Sequence, residues 1–192
     1  MLPAIAEVGP EVLAGPGRHD PFGLWKQPVP KPVVLAVQGI AFTLSIELAL
    51  ASDIVVAAED VRFRQLEVGR GIVPLGGATL RAPSALGWGN AMRFLLTGEE
   101  FGAAEALRIG LVQEVVAPGE QLGRAVGIAR LVAAQAPLAV QATLASARAA
   151  AGDHASAREH LLGLTPAVLG SRDAAEGLRS FVERRDAVFL GR

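Results

Sequence analysis

Two short apolar runs, VVLAV at 33–37 and DIVVAA at 53–58, flank an almost wholly apolar segment, TLSIELALA, at 43–51. Both runs are continuous rather than alternating, which suits strands buried on both faces. The segment between them is rich in helix formers, Leu44, Glu47, Leu48, Ala49 and Leu50, and lacks a polar face. It predicts a helix buried all round, with Thr43 as its cap. Strand, helix, strand at this spacing predicts a crossover unit joining parallel strands. The exception inside it is Glu47, an acid where every neighbour is apolar.

Such a unit needs a substantial core, and 192 residues, 51% hydrophobic and 19% charged, supply one. A chain of this size buries roughly 70% of its unfolded surface. Lysine and arginine number 18 against 19 acids, for a net charge of −1. No long-range field favours nucleic acid or an anionic membrane, so neither is expected as a partner. With no cysteine there is no disulfide framework and no thiolate metal site, which fits a reducing compartment. The start shows no basic segment followed by an apolar one, so a cytoplasmic location is expected. The longest stretch without a charged residue, 131–147, is interrupted by Gln135, Pro137 and Gln141 and falls short of the ~20 apolar residues of a membrane span.

Pro3, Pro10, Pro16, Pro21, Pro28 and Pro30 break residues 1–30 into a loop-rich lead-in. After the crossover unit, VRFRQLE at 61–67 alternates and predicts a half-exposed strand. A glycine-rich turn at 69–77 leads into helices predicted at 78–86 and 88–97, each closed by glycine. A short helix at 103–108 and a strand at 111–116 follow. Beyond residue 120 the patterns are all helical, at 120–134, 137–150, 154–164 and 172–189. The expected division is therefore a lead-in at 1–30, an α/β core at 31–119 and a helical region at 120–192.

The glycine-rich turn lacks the Lys and Ser/Thr of a phosphate-cradling loop, and no G-x-G-x-x-G follows a strand. His19, His154 and His160 lack metal-site or triad spacing and are expected to be solvated, so no metal is predicted. Two carboxylates remain: Glu47 in the apolar helix and Glu67 at the end of the alternating strand. Each also fits a structural role, at a helix dipole or against turn amides. Residues 40–44 enter the helix with free N–H groups at its positive end, where an oxyanion is able to bind. Desolvated paired carboxyls beside such a site suit chemistry next to a carbonyl through an enolate.

The run from Lys31 to Arg81, KPVVLAVQGIAFTLSIELALASDIVVAAEDVRFRQLEVGRGIVPLGGATLR, resembles the core of the crotonase family of enoyl-CoA hydratases and isomerases. That family's pattern is K-P-V-x-A-x-V-x-G-x-A-x-G-G-G-x-E-L-A-x-x-x-D, then F-x-x-P-E and G-x-x-P. LLTGEEFGAAEALRIGLVQEVV and DAAEGLRSFVERRDAVF resemble its later elements. The resemblance implies an α/β fold with a crotonase-like β/α superhelix core and an all-α C-terminal trimerisation region. It places the two hydratase glutamates at Glu47 and Glu67 and one oxyanion N–H at Leu44. It implies that Phe42, Thr43, Leu75 and Gly76 border the substrate pocket, and that Phe181, Arg184 and Arg185 border the coenzyme A site. It implies an acyl-CoA thioester as substrate, no cofactor beyond coenzyme A as carrier, and a homotrimer or hexamer.

Three departures qualify what the resemblance implies. Thr43, Leu44 and Ser45 replace the family's three glycines, Leu75 replaces a glycine after Pro74, and the early strands with their A-G-x-D loop have no counterpart here. The expected activity is hydration of a 2-enoyl thioester. The alternatives are an isomerase, or an acyl-CoA-binding or assembly subunit with impaired catalysis.

Overall fold

The protein is described by a computed structural model covering Glu7, residues 9–150 and residues 154–192. It divides into two compact units, one formed by the chain up to Val29 with Val33–Gly127, the other by Pro30–Pro32 and Ile128–Arg192.

In the first unit, β1 (His19–Asp20) and β2 (Gln27–Pro28) form a two-residue parallel pair. The predicted crossover follows: β3 (Val34–Val37) and β5 (Ile54–Ala58) run parallel, with Leu35 opposite Val55 and Ala36 opposite Val56. Asp53 ties their starts together, its Oδ2 accepting the Val33 N–H at 2.7 Å. Strand β8 (Glu114–Val116) adds in parallel beyond β5. Val55, Val56, Ala57 and Ala58 are fully enclosed, as a central strand flanked on both sides requires.

A second sheet was not anticipated. Strand β4 (Ile40–Phe42), immediately after β3, pairs in parallel with β6 (Arg62–Arg64), and β7 (Phe101–Gly102) joins β6 antiparallel. The predicted alternation holds within β6, where Phe63 is buried between exposed Arg62 and Arg64. The strand nevertheless stops at Arg64 rather than Glu67, because its last ladder partner is Phe42, the end of β4. Phe63 stacks on Phe101 at 5.5 Å, and Phe94 meets Phe101 at 4.0 Å, forming the aromatic part of the core.

Helix α1 (Leu44–Ala51) spans the crossover, followed by α2 (Ala78–Leu86), α3 (Trp88–Thr97) and α4 (Ala103–Arg108). α5 (Gln121–Ala133) comes next. Thr43 sits at the α1 cap position, but its side chain makes no capping bond and its backbone lies at φ 52°. The first-turn geometry there leaves the hydroxyl misplaced for the role expected of it.

The second unit contains α6 (Pro137–Ala150), α7 (His154–Leu169) and α8 (Arg172–Glu183), with α7 packed on α6 and α8 on α7. α7 runs past the predicted end and carries Pro166 within it. α8 is shorter than its periodicity suggested. Arg184 turns left-handed at φ 55°, and Arg185 folds back to pair with Glu176 and Glu183. Buried Asp173 then holds the final segment, accepting the N–H groups of Leu190 and Gly191 at 2.8 Å each. Among the described residues no single helix is long and apolar enough to cross a membrane, and no cluster of His, Cys, Asp or Glu is placed to hold a metal ion.

Candidate active site

The first unit carries an open cavity of about 240 Å³ lined by both Glu47 and Glu67. Glu47 reaches it from the middle of α1. Glu67 reaches it from the turn after β6, where its backbone is helical (φ −58°, ψ −46°) and it precedes the 3-10 turn Val68–Arg70. Thr43, Leu44 and Leu75 line the same space, with Leu13, Leu66, Ile72 and Val73 completing an aliphatic wall.

Glu47 is fully enclosed, yet its charge is provided for. Oε2 accepts the Gly76 N–H at 2.7 Å, and Oε1 faces the Ala78 N–H at 3.4 Å. Only glycine permits this approach: a Cβ on Gly76 would strike Oε2 and lie 3.0 Å from Cβ and Cδ of Glu47. Burial pushes the Glu47 carboxyl above its ordinary value, the two amides pull it down, the Glu67 charge adds to the rise and Arg81 opposes it.

Glu67 is 8% exposed and differently served. Its Oε2 is enclosed with no hydrogen-bond partner, and both amide atoms of neighbouring Gln65 are equally unpartnered. Burial raises the Glu67 carboxyl, against a weaker pull from its own and Leu66's backbone and from the Gln65 amide, which approaches without well-formed bonding geometry. Both carboxyls are thus held above the ordinary glutamate value, but in unlike surroundings: Glu47 accepts two backbone amides, whereas Oε2 of Glu67 has no partner.

The N–H groups of Leu44, which lines the cavity, and of Ser45 next to it open α1 and have no acceptor among the described residues. They lie at the positive end of the helix, where a developing negative charge is stabilised.

Arg81 on α2 braces the turn that serves Glu47. Its Nη1 donates to the Gly76 carbonyl at 3.3 Å and its Nη2 to the Phe22 carbonyl. Phe22 belongs to a loop organised around fully buried Asp20, whose carboxylate accepts the N–H groups of Phe22, Leu24 and Trp25 at 2.7–2.8 Å. Burial pushes Asp20 up, but these amides and that of Lys26 outweigh it and hold the carboxyl below its ordinary value. Sequence reasoning passed over Asp20, Arg81, Leu13 and Arg70. The D-P-x-G turn signature at residues 20–23 was the available signal for the first.

Other expected site residues lie elsewhere. Phe42 stands outside the cavity, its ring 5.9 Å beneath the Arg62 guanidinium, because β4 directs it to the exposed side of the second sheet. Gly76 serves through its amide, on Glu47. Phe181, Arg184 and Arg185 lie in the second unit, where Phe181 is 82% exposed and Arg185 holds Glu176 down to about 2. His160 is exposed as expected, the His154 side chain lies outside the described residues, and His19 is half-buried in β1 with Nδ1 enclosed and unpartnered. Strand pairing next to Asp20 draws His19 inward.

Residues 22–192 match the enoyl-CoA hydratase/isomerase family. Carnitinyl-CoA dehydratase of Escherichia coli K12 is 39% identical over 167 residues, which cover 84% of this chain and 64% of that protein. Its counterpart in Salmonella agona SL483 is 40% identical over the same length. The chain thus spans 64% of the length of the curated relatives it matches. Among solved structures, a probable enoyl-CoA hydratase/isomerase from Mycobacterium abscessus superposes with a TM-score of 0.90 at 47% identity, over 98% of this chain and 75% of that one. Enoyl-CoA hydratase from Mycobacterium tuberculosis H37Rv superposes at 0.87 and 35% identity, over 100% and 75%. With crotonase-type structures matched over this length and the family pattern running from residue 22 to residue 192, the chain belongs to the enoyl-CoA hydratase/isomerase family.

Proposed function

We propose that the cavity adds water across the 2,3 double bond of an enoyl-CoA thioester, and catalyses the reverse dehydration. The observation that carries this reading is the placement of two unlike carboxyls, Glu47 and Glu67, on one aliphatic cavity beside the open N–H groups of α1. The thioester carbonyl accepts the Leu44 N–H, and the negative charge that grows on its oxygen as an enolate forms is met by the helix end. Ionised Glu47 takes a proton from water as its oxygen bonds to the β-carbon, and protonated Glu67 delivers its proton to the α-carbon. The proton gained by Glu47 then passes to Glu67, restoring the starting state. Coenzyme A is the carrier and no other cofactor is required. The dehydratase relatives support the reading, since removing water from a hydroxyacyl thioester is the same reaction run backwards.

The test is product analysis in water enriched in heavy oxygen. Incubation with a trans-2-enoyl-CoA is expected to give a 3-hydroxyacyl-CoA carrying the heavy oxygen. Interconversion of 2-enoyl- and 3-enoyl-CoA without oxygen incorporation would identify an isomerase instead, and thioester binding without any turnover a binding subunit.

A further inference from the structure

The cavity has one feature that hydration itself does not use. Against a wall of six aliphatic side chains and the two carboxyls, Arg70 is its one basic lining residue among the described residues. Among the described residues its side chain makes no hydrogen bond and no ion pair. By contrast, Arg62, Arg93, Arg108, Arg124 and Arg185 are each paired with glutamate. Arg70 is itself an exposed residue of that lining.

Its position is fixed by the backbone. Arg70 ends the 3-10 turn Val68–Arg70, and its N–H donates to the Glu67 carbonyl at 2.9 Å. Gly71, left-handed at φ 71°, then turns the chain along the cavity wall through Ile72 and Val73. Three residues of such a turn advance roughly 6 Å, so the Arg70 backbone stands about that far along the turn from Glu67.

We infer that Arg70 forms an anion subsite at the acyl end of the cavity and selects thioesters whose acyl group ends in a carboxylate. This rests on the hydratase reading above, which sets the thioester at Leu44 and the α-carbon at Glu67. Coenzyme A also supplies anionic oxygens, but its phosphates stand a whole pantetheine arm from the thioester, whereas a carboxylate a few carbons along the acyl chain stands near Glu67. A guanidinium fork with no protein partner matches a carboxylate in shape and charge. A cationic acyl terminus is disfavoured by the same group.

Calorimetric binding of two unreactive ligands to the full chain tests this: glutaryl-CoA, and its uncharged counterpart ending in a carboxamide. Both carry the same coenzyme A, so phosphate contacts cancel in the ratio of their dissociation constants. The expected result is tenfold to a hundredfold tighter binding of glutaryl-CoA, the scale of a hydrogen bond to a charged group, lost in Arg70→Met and partly kept in Arg70→Lys. Equal binding of the two ligands to the unmodified protein overturns the inference. So does an Arg70→Met variant that weakens both by the same factor, which would assign Arg70 to the phosphates. Circular dichroism on each variant excludes misfolding as the cause. The preference is read without turnover: a protein that prefers glutaryl-CoA but hydrates no enoyl thioester retains the subsite and loses the hydratase reading.

Discussion

Two residues store free energy where the site needs it. Thr43 holds φ 52° and ψ −115°, a region that glycine enters freely and a β-branched residue does not. Thr43→Gly is therefore expected to raise stability by about 1 kcal/mol in chemical denaturation, relief of strain exceeding the entropy glycine adds to the unfolded chain. A destabilised variant would show the Thr43 side chain to be worth more than the strain. Glu67 stores energy as desolvation. Its folded carboxyl titrates above the unfolded one, so stability is fullest below the ordinary glutamate range and falls as pH rises through the folded value. Glu67→Gln removes that loss: at pH 8 the variant is expected to melt no lower than the parent, and at pH 4.5 the two are expected to converge. A Glu67→Gln protein markedly less stable at pH 8 would mean that the carboxylate is structurally required.

At the scale of elements, the site depends on a turn held from both sides. Gly76 donates to Glu47 while its carbonyl accepts from Arg81, so the guanidinium fixes the amide that fixes the carboxylate. Arg81→Met is expected to lower turnover roughly tenfold to a hundredfold by loosening that turn. It also removes a positive charge that holds Glu47 down, so the acidic limb of the pH–rate profile moves to higher pH. An unchanged profile with reduced turnover would leave Arg81 a purely structural brace. Elements with strong local signals were legible in sequence: α2 and α3 begin and end at the predicted residues, with glycine closing each. Elements defined by their partners were not. β4 and β7, three and two residues long, exist through pairing with β6 and have too few residues to show a period. The α8 periodicity continues past Glu183, but the Arg185 pairs with Glu176 and Glu183 end the helix there.

For the whole molecule, composition and the crossover unit indicated an α/β core followed by helices, and the matched crotonase structures agree. Glu47 stood out in sequence because an acid in an apolar helix demands a reason, and Glu67 because it closes an alternating strand; both line one cavity. Arg70 and Arg81 were not, since an arginine in a turn or on a helix face has an ordinary solvated explanation until a cavity or a carbonyl is seen beside it. The second unit leaves Leu178, Phe181, Val182, Val188 and Leu190 exposed. We propose that further copies of the chain cover them, and light scattering is expected to return a multiple of the 19.9 kDa chain mass; a monomer at micromolar concentration would contradict it.

A division of base and acid work between Glu47 and Glu67 in one cavity is read from the turnover of a trans-2-enoyl-CoA by Glu67→Gln beside the parent protein, with folding checked by circular dichroism. Hydration by the parent and a fall of ~10²–10⁴ in kcat for the folded variant are expected. A folded Glu67→Gln protein that hydrates at the parent rate contradicts that division.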